Sequence, residues 1–184
     1  SRLTKEFTRG DKSIAGSTLS LNYADYEPGE TLDWTFSLYN NSSDNEWLED
    51  VYITFPNGVI VNSATNFTCG TATMIPDLTS GNGITIHWHG ETSGGWGVVH
   101  SGETATAIVN VSIPFTIYGD LVLSYTIQGD AFNSEPHQLN DQIVLSQLVT
   151  TIPWLTIEPI QGEVPAGDAV TITASFSALT ITPG

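Results

Sequence analysis

Hydrophobic and polar residues alternate along most of this chain. Every second residue is apolar from Ala105 to Ile113, and again from Leu121 to Ile127. This period of two is typical of a β-strand with one buried face. Pro114 ends the first run and the Tyr118-Gly119-Asp120 turn precedes the second. The pattern therefore predicts that the two strands pair antiparallel at the centre of a sheet.

The same alternation recurs in shorter segments separated by turn residues. The further predicted strands are Leu19–Tyr23, Leu32–Leu38, Val51–Phe55, Val59–Val61, Ile84–His89 and Ile143–Val149. The stretches 65–83, 90–102 and 130–141 are polar or glycine-rich and are predicted to be loops. Apolar residues with a helical period never extend over ten positions, which predicts almost no helix. Seven or eight short strands joined by turns predict an all-β antiparallel sandwich, with Trp34 in its core.

One part of this pattern resembles a known family. The residues concerned are Pro28-Gly29-Glu30-Thr31-Leu32, Trp34 to Ser42, Val51 to Phe55 and Pro56-Asn57-Gly58-Val59. They resemble the immunoglobulin-like conserved-repeat domains of bacterial and archaeal surface proteins, which combine a glycine-acid turn, a strand ending in Asn, a second strand and a Pro-x-Gly turn. The resemblance implies an immunoglobulin-like β-sandwich, assigned to residues 14–150. Residues 1–13 are expected to be an arm or linker.

A second resemblance begins at Pro153. Its residues are Trp154 to Pro159, Gly162, Pro165-Ala166-Gly167 and Val170 to Phe176. They resemble the opening half of immunoglobulin-like modules of the BACON kind, which follow catalytic or binding domains in secreted bacterial proteins. The resemblance implies that residues 151–184 form an incomplete second module or a strand-donating tail.

The distribution of charge narrows the choice of partners. The 184 residues carry a formal net charge of -16, and the four basic residues are Arg2, Lys5, Arg9 and Lys12. Nucleic acid is therefore excluded as a partner, because its binding depends on Lys and Arg, and an anionic membrane surface is excluded for the same reason. No apolar run approaches ~20 residues, so no membrane insertion is expected. The unpaired acids fit a saline or extracellular setting and must be solvated, hydrogen-bonded or neutralised by cations.

Two of the predicted loops concentrate oxygen ligands suited to calcium. The candidate residues are Asp44, Glu46, Glu49 and Asp50 in one connection and Asp130, Asn133, Glu135 and Asp141 in another. Hard carboxylate and amide oxygens on loops are the ligands that Ca²⁺ prefers. Calcium is thus a possible cofactor, and simple solvation of these acids is the alternative.

Two histidines provide a candidate site for a zinc-like metal. His87 and His89 are two residues apart, so they lie on one face of a strand, as a metal site requires. Glu91 and His100 in the adjoining loop are candidates for further ligands. The alternative is that both histidines are ordinary surface residues flanking a buried Trp88.

Three aromatic residues lie in predicted loops or turns, namely Trp47, Trp96 and Tyr118. Flat aromatic surfaces can stack on sugar rings, which makes polysaccharide a candidate partner. The alternative is that these side chains cover the ends of the sandwich.

Catalysis is not indicated by any motif. No spacing identifies an acid–base pair of carboxylates, and no serine lies in a Gly-x-Ser-x-Gly context. We therefore expect a non-catalytic extracellular or cell-surface module of a prokaryotic protein, acting as a spacer, adhesion or binding unit beside neighbouring modules. One alternative is a filament subunit that adds a strand to an identical subunit. The other is an accessory domain of a secreted hydrolase.

Overall fold

The computed structural model describes residues 12–130, 137–148, 155–158 and 162–176. The chain divides into two compact units, residues 1–148 and 149–184. Every regular element in the described ranges is a β-strand, which confirms the predicted all-β class. No helix in these ranges has the length and apolar character needed to cross a membrane.

The described residues of the first unit form twelve strands, and those of the second unit form two. In the first unit they are β1 Thr18–Leu21, β2 Asp25–Tyr26, β3 Thr31–Tyr39, β4 Leu48–Thr54, β5 Ile60–Ala64, β6 Phe67–Cys69, β7 Ala72–Pro76, β8 Gly81–Asn82, β9 Thr85–His89, β10 Thr104–Ser112, β11 Leu121–Gly129 and β12 Gln138–Gln147. In the second unit they are β13 Leu155–Glu158 and β14 Thr173–Phe176.

The strands of the first unit follow one another in a single hydrogen-bonded path that runs through both layers of a sandwich. Its order is β1-β3-β10-β6-β7-β9-β4-β11-β12-β2; β5 branches from β10, and β8 pairs with β5. The β6–β7 hairpin connects the layers, because β6 pairs with β10 in one layer and β7 pairs with β9 in the other. All pairs are antiparallel except β2 with β12.

The two layers meet through their aromatic residues. Trp34 and Phe36 alternate with polar residues along β3, and both are fully buried. Their rings pack against Phe55, which follows β4 in the opposite layer, with centroids 6.3 and 6.2 Å away. Phe67 packs edge-on against Trp88 at 5.3 Å. These contacts confirm Trp34 as a core residue, and burial of such rings contributes strongly to stability.

The predicted pairing between the two longest alternating runs is wrong. β10 pairs with β3 and β5 in one layer, whereas β11 pairs with β4 and β12 in the other. Both strands bury one complete face, so each satisfies its alternation when it faces the core from its own side. The connection 113–120 therefore crosses between layers instead of closing a hairpin.

The sandwich contains more strands than the seven or eight predicted. Part of the excess lies in residues 65–83, predicted as a loop, where β6, β7 and β8 form. Strands this short carry too few residues for alternation to be recognised. β12 also begins at Gln138, inside the predicted loop 130–141, because polar residues occupy the exposed start of this strand.

The second unit is a two-stranded antiparallel sheet in its described residues. Leu155 pairs with Phe176 and Glu158 with Thr173. A turn at Pro165–Asp168 lies between the strands, and its Asp168 N–H donates to Pro165 O at 3.0 Å. Completion of a BACON-like module or of a neighbour's sheet by this unit stays a prediction.

Candidate functional site

The first candidate site lies on the outer face of β4 and β9. Val51 in β4 and Trp88 in β9 are fully buried and oppose each other. Because successive strand residues point to opposite faces, the flanking Asp50 and His89 point outward, and they are also directly opposed. His87 is two residues from His89 and shares its face, as the sequence predicts.

One carboxylate oxygen of Asp50 contacts a ring nitrogen of each histidine. Its Oδ1 lies 2.6 Å from His87 Nε2 and 2.8 Å from His89 Nδ1. A carboxylate oxygen accepts hydrogen bonds, so the bonded nitrogen of each ring carries its proton. Tyr52 stacks on His87 with ring centroids 4.1 Å apart and planes at 7°, which fixes the orientation of that imidazole.

Further carboxylates surround this group. Glu91 Oε2 lies 3.8 Å from His89 Nε2, on the side of the ring away from Asp50. The hydrogen bond to Asp50 is the main cause that raises the pKa of His89, and the charges of Glu49 and Glu91 add to it. Burial, followed by the charge of Asp50, raises the pKa of Glu49. The site is thus strongly negative and favours a positive charge.

The structure brings the ligand atoms of Asp50, His87 and His89 within 4.8 Å of one another, and those of Glu49, His89 and Glu91 likewise. We call the first three residues the Asp50 cluster. His100, the other candidate ligand, packs against Trp47 with ring centroids 4.0 Å apart and planes tilted by 46°, and it belongs to neither group. Sequence spacing identified the two histidines. It did not identify Asp50 as their partner, because the register between β4 and β9 cannot be read from the sequence.

The second candidate site is a buried pair of acids, Glu46 and Asp130, one from each predicted calcium loop. Their side chains are 1% and 0% exposed. Glu46 Oε1 and both carboxylate oxygens of Asp130 have no hydrogen-bond partner. Burial raises the pKa of Glu46, and the charge of Asp130 adds to the rise.

Two basic groups approach this acid pair. His137 Nδ1 lies 2.6 Å from Glu46 Oε2, and Lys12 Nζ lies 3.7 Å from Asp130 Oδ1. Lys12 also donates to Asn45 O at 3.2 Å. Lys12 supplies part of the positive charge that two buried carboxylates require, and His137 gives one Glu46 oxygen a hydrogen-bond partner. Neither was singled out from the sequence, since Lys12 lies far from both acids along the chain and His137 lies 91 residues from Glu46, the acid that it contacts.

Backbone pairing explains why this site forms. The Asp130 N–H donates to Trp47 O at 2.7 Å, and the Gly129 N–H donates to His137 O at 2.9 Å. Glycine at position 129 makes room for Glu46, because a Cβ there would overlap its carboxylate and force that side chain to move. The ends of β4, β11 and β12 are thereby brought together around Glu46.

The predicted calcium residues are divided among several environments. Glu46 and Asp130 form the buried acid pair, whereas Glu49 and Asp50 lie beside the histidines. Asp44 accepts a hydrogen bond from Ser42 Oγ at 2.8 Å. Burial opposes its ionisation, yet that bond and backbone N–H donors outweigh burial and lower its pKa.

The remaining calcium candidates do not join these groups in the described structure. Asp141 is exposed on β12 opposite Tyr125. Asn133 and Glu135 lie outside the described residues. Calcium as a cofactor stays a prediction.

The predicted aromatic residues lie at opposite ends of the sandwich. Trp47 and Trp96 are half-buried and pack together with centroids 6.2 Å apart, and Lys12 Nζ lies 5.3 Å from the Trp96 ring. Tyr118 is 76% exposed on connection 113–120. This connection follows Ser112, which pairs with Thr31 at the far end of β3. Polysaccharide binding stays a prediction, and the three rings do not form one platform.

No protein-family model matches the chain, and no curated protein sequence matches it. Its backbone is similar to a cohesin module from a family 33 glycoside hydrolase of Clostridium perfringens (14% identity, 74% of this chain and 98% of that chain covered, TM-score 0.46). It is also similar to an uncharacterized protein of Nocardia farcinica with an immunoglobulin-like fold (14% identity, 72% and 98% covered, TM-score 0.47). A non-cellulosomal cohesin of Archaeoglobus fulgidus gives 12% identity, 72% and 91% coverage and a TM-score of 0.47. At these identities and TM-scores, the similarities support no statement about kinship or function.

Proposed function

We propose that the chain is a non-catalytic β-sandwich module of a secreted or cell-surface prokaryotic protein, acting as a spacer, adhesion or binding unit. The observation that carries this proposal is the placement of the acidic groups in the described structure. The carboxylates of Glu46 and Asp130 are sealed from solvent. The accessible Asp50 cluster lies on an open strand face. Acid–base catalysis needs two groups with perturbed pKa values facing each other across a cleft that holds the substrate, whereas His89 and Glu49, whose pKa values are raised, lie on an open strand face.

Charge supports the extracellular part of the proposal. Residues 13–184 contain no Lys or Arg, although they include 18 of the 20 acidic residues. Such a surface repels nucleic acid and anionic lipid, and its self-repulsion is relieved where salt is abundant. We expect the exposed strand faces to contact neighbouring modules or a protein ligand.

The test is the association state of the chain in dilute solution, measured by light scattering after size-exclusion chromatography. A spacer or adhesion module is expected to be a monomer that unfolds in one reversible transition for residues 14–148. Polymers that resist denaturant would overturn the proposal and favour a strand-exchanging filament subunit. Hydrolysis of a glycan or peptide substrate by the isolated chain would overturn its non-catalytic part.

A further inference from the structure

We propose that the Asp50 cluster, formed by Asp50, His87 and His89, binds one divalent transition-metal ion of the zinc type. The proposal does not rest on the proposed function, since a module that binds no zinc can still act as a spacer. It rests on three side chains that converge from two neighbouring strands onto one point. Two imidazole nitrogens and one carboxylate oxygen form a ligand set that Zn²⁺ accepts, with a fourth position left for water.

The distances between the ligand atoms of the Asp50 cluster allow a metal ion to bind after a small movement of the side chains. Ligand atoms around tetrahedral Zn²⁺ lie about 2.0–2.2 Å from the metal, and therefore about 3.3 Å from one another. Asp50 Oδ1 now lies 2.6 and 2.8 Å from the two nitrogens. The ligand atoms must separate by about half an ångström, which rotation of the Asp50 side chain supplies. In this step the metal takes the ring nitrogen that now faces Asp50; a neutral imidazole moves its proton through water to its other ring nitrogen, and an imidazolium releases one proton to solvent.

Residues next to the Asp50 cluster orient its two histidines, as the residues behind the ligands do in known metal sites. A metal-bound histidine commonly directs its other ring nitrogen at a carboxylate, which fixes the ring and raises its basicity. His89 presents Nδ1 to Asp50 and Nε2 to Glu91, 3.8 Å away. His87 is fixed by its stack on Tyr52, and its backbone N–H donates to Asp77 Oδ1 at 2.9 Å. Both imidazoles are therefore held before a metal arrives.

Electrostatics and ligand type select the class of metal. Glu49, Asp50 and Glu91 supply negative charge around the site. Lys12 is the Lys or Arg closest to these residues along the sequence, and it pairs with Asp130 instead. Imidazole nitrogen favours Zn²⁺ and its neighbours in the first transition row, whereas Ca²⁺ prefers sites made of oxygen alone. The Asp50 cluster is thus expected to discriminate against Ca²⁺.

The experiment titrates the whole chain with Zn²⁺ by calorimetry after treatment with EDTA, and with Co²⁺ by visible absorption. One equivalent of Zn²⁺ is expected to bind and to raise the thermal midpoint, with the spectrum of four-coordinate Co²⁺. Ca²⁺ added beforehand is expected to leave this Zn²⁺ binding unchanged. The variants His89→Gln and Asp50→Asn each remove one ligand and are expected to weaken Zn²⁺ binding by at least about tenfold.

His100→Gln is the matched control, because the side chain of His100 is 48% exposed and that of His89 is 47% exposed. It is expected to bind Zn²⁺ within about twofold of the parent chain. Circular dichroism in EDTA checks that each variant is folded, and His87→Gln supplies a further ligand variant if one is not. Absence of one-to-one binding overturns the proposal. Equal weakening by His100→Gln and His89→Gln overturns it as well, since binding would then be dispersed over surface histidines.

Discussion

Two acidic residues at one end of the sandwich are buried with little compensating positive charge. Glu46 and Asp130 are buried together, and three of their four carboxylate oxygens lack a hydrogen-bond partner. An ionised carboxylate without partners is costly to bury, so nearby positive charge must offset much of the cost. Lys12 and His137 are the basic groups that the described structure places against the pair.

The variant Lys12→Met tests this role of lysine. It keeps a long apolar stem but removes the charge beside Asp130, so the free energy of unfolding is expected to fall by about 2 kcal/mol. Chemical denaturation measures the change. Asp130→Asn in the Lys12→Met background is expected to recover part of the loss. An equal loss in the presence and absence of Asp130→Asn would show that the two side chains do not interact.

The variant Glu46→Gln tests the raised pKa of Glu46. In the folded state this carboxyl holds its proton to a higher pH than in the unfolded chain, because burial disfavours its charge. Glu46 therefore contributes stability below its unfolded pKa of about 4.3 and loses that contribution as pH rises through the folded pKa. The thermal midpoint of Glu46→Gln, relative to the parent chain, is expected to increase between about pH 4.5 and pH 8. A pH-independent difference would contradict this, and Glu163→Gln, at an exposed position, controls for the loss of one charge.

At the scale of elements, a buried asparagine fixes the loop that carries Glu46. Asn40 follows β3 and is fully buried. Its Nδ2 donates to Glu46 O and Val99 O, both at 2.8 Å. Its Oδ1 accepts from the Ser42 N–H at 2.9 Å and from Ser17 Oγ at 3.3 Å. One side chain thus joins the loop before β4 to the loop before β10.

The variant Asn40→Ala is expected to lower the free energy of unfolding by about 3 kcal/mol, because it leaves several buried polar groups without partners. Urea denaturation measures the loss. Asn41→Ala is the matched control, since Asn41 is exposed and immediately adjacent, and its cost is expected to be within about 0.5 kcal/mol. A small effect at Asn40 would show that water replaces its hydrogen bonds.

Alternation along single strands was enough to predict which residues are buried, but not which strands pair. Trp34 and the histidine pair were placed on the correct faces because a strand's two faces follow from its own sequence. The partners of β10 and β11 were mispredicted, since either strand satisfies its alternation in a hairpin or in opposite layers. For the same reason the sequence did not predict the contact of Asp50 with the two histidines or the proximity of Asp130 to Glu46. Each of these contacts depends on a register or backbone pairing between segments distant in sequence.

At the scale of the whole molecule, charge repulsion opposes folding. The chain has a formal net charge of -16, with its four basic residues confined to the first twelve positions. Repulsion among exposed carboxylates is long-ranged at low ionic strength, where the screening length reaches about 30 Å, and falls to about 3 Å near 1 M salt. The compact state is therefore more strongly penalised in dilute buffer than in brine.

Raising NaCl from about 0.01 M to about 1 M is expected to increase the thermal midpoint by several degrees, with most of the gain at the lower concentrations. Differential scanning calorimetry in EDTA measures the shift without contributions from divalent ions. KCl is expected to give the same curve, because screening depends on ionic strength alone. A flat response would indicate that bound counterions already neutralise the acids.

The β6–β7 hairpin joins the two layers of the sandwich along one side, so that they form one continuous sheet. In the described structure its free margins include the outer sides of β1, of the short strand β8 and of β12, where β2 covers only Ser146 and Gln147. The uncovered length of β12 begins Gln-Leu-Asn-Asp-Gln, whose polar side chains discourage casual sheet extension. A strand that joined β1 would therefore lengthen one layer of the sandwich, whereas a strand that joined β12 would lengthen the other.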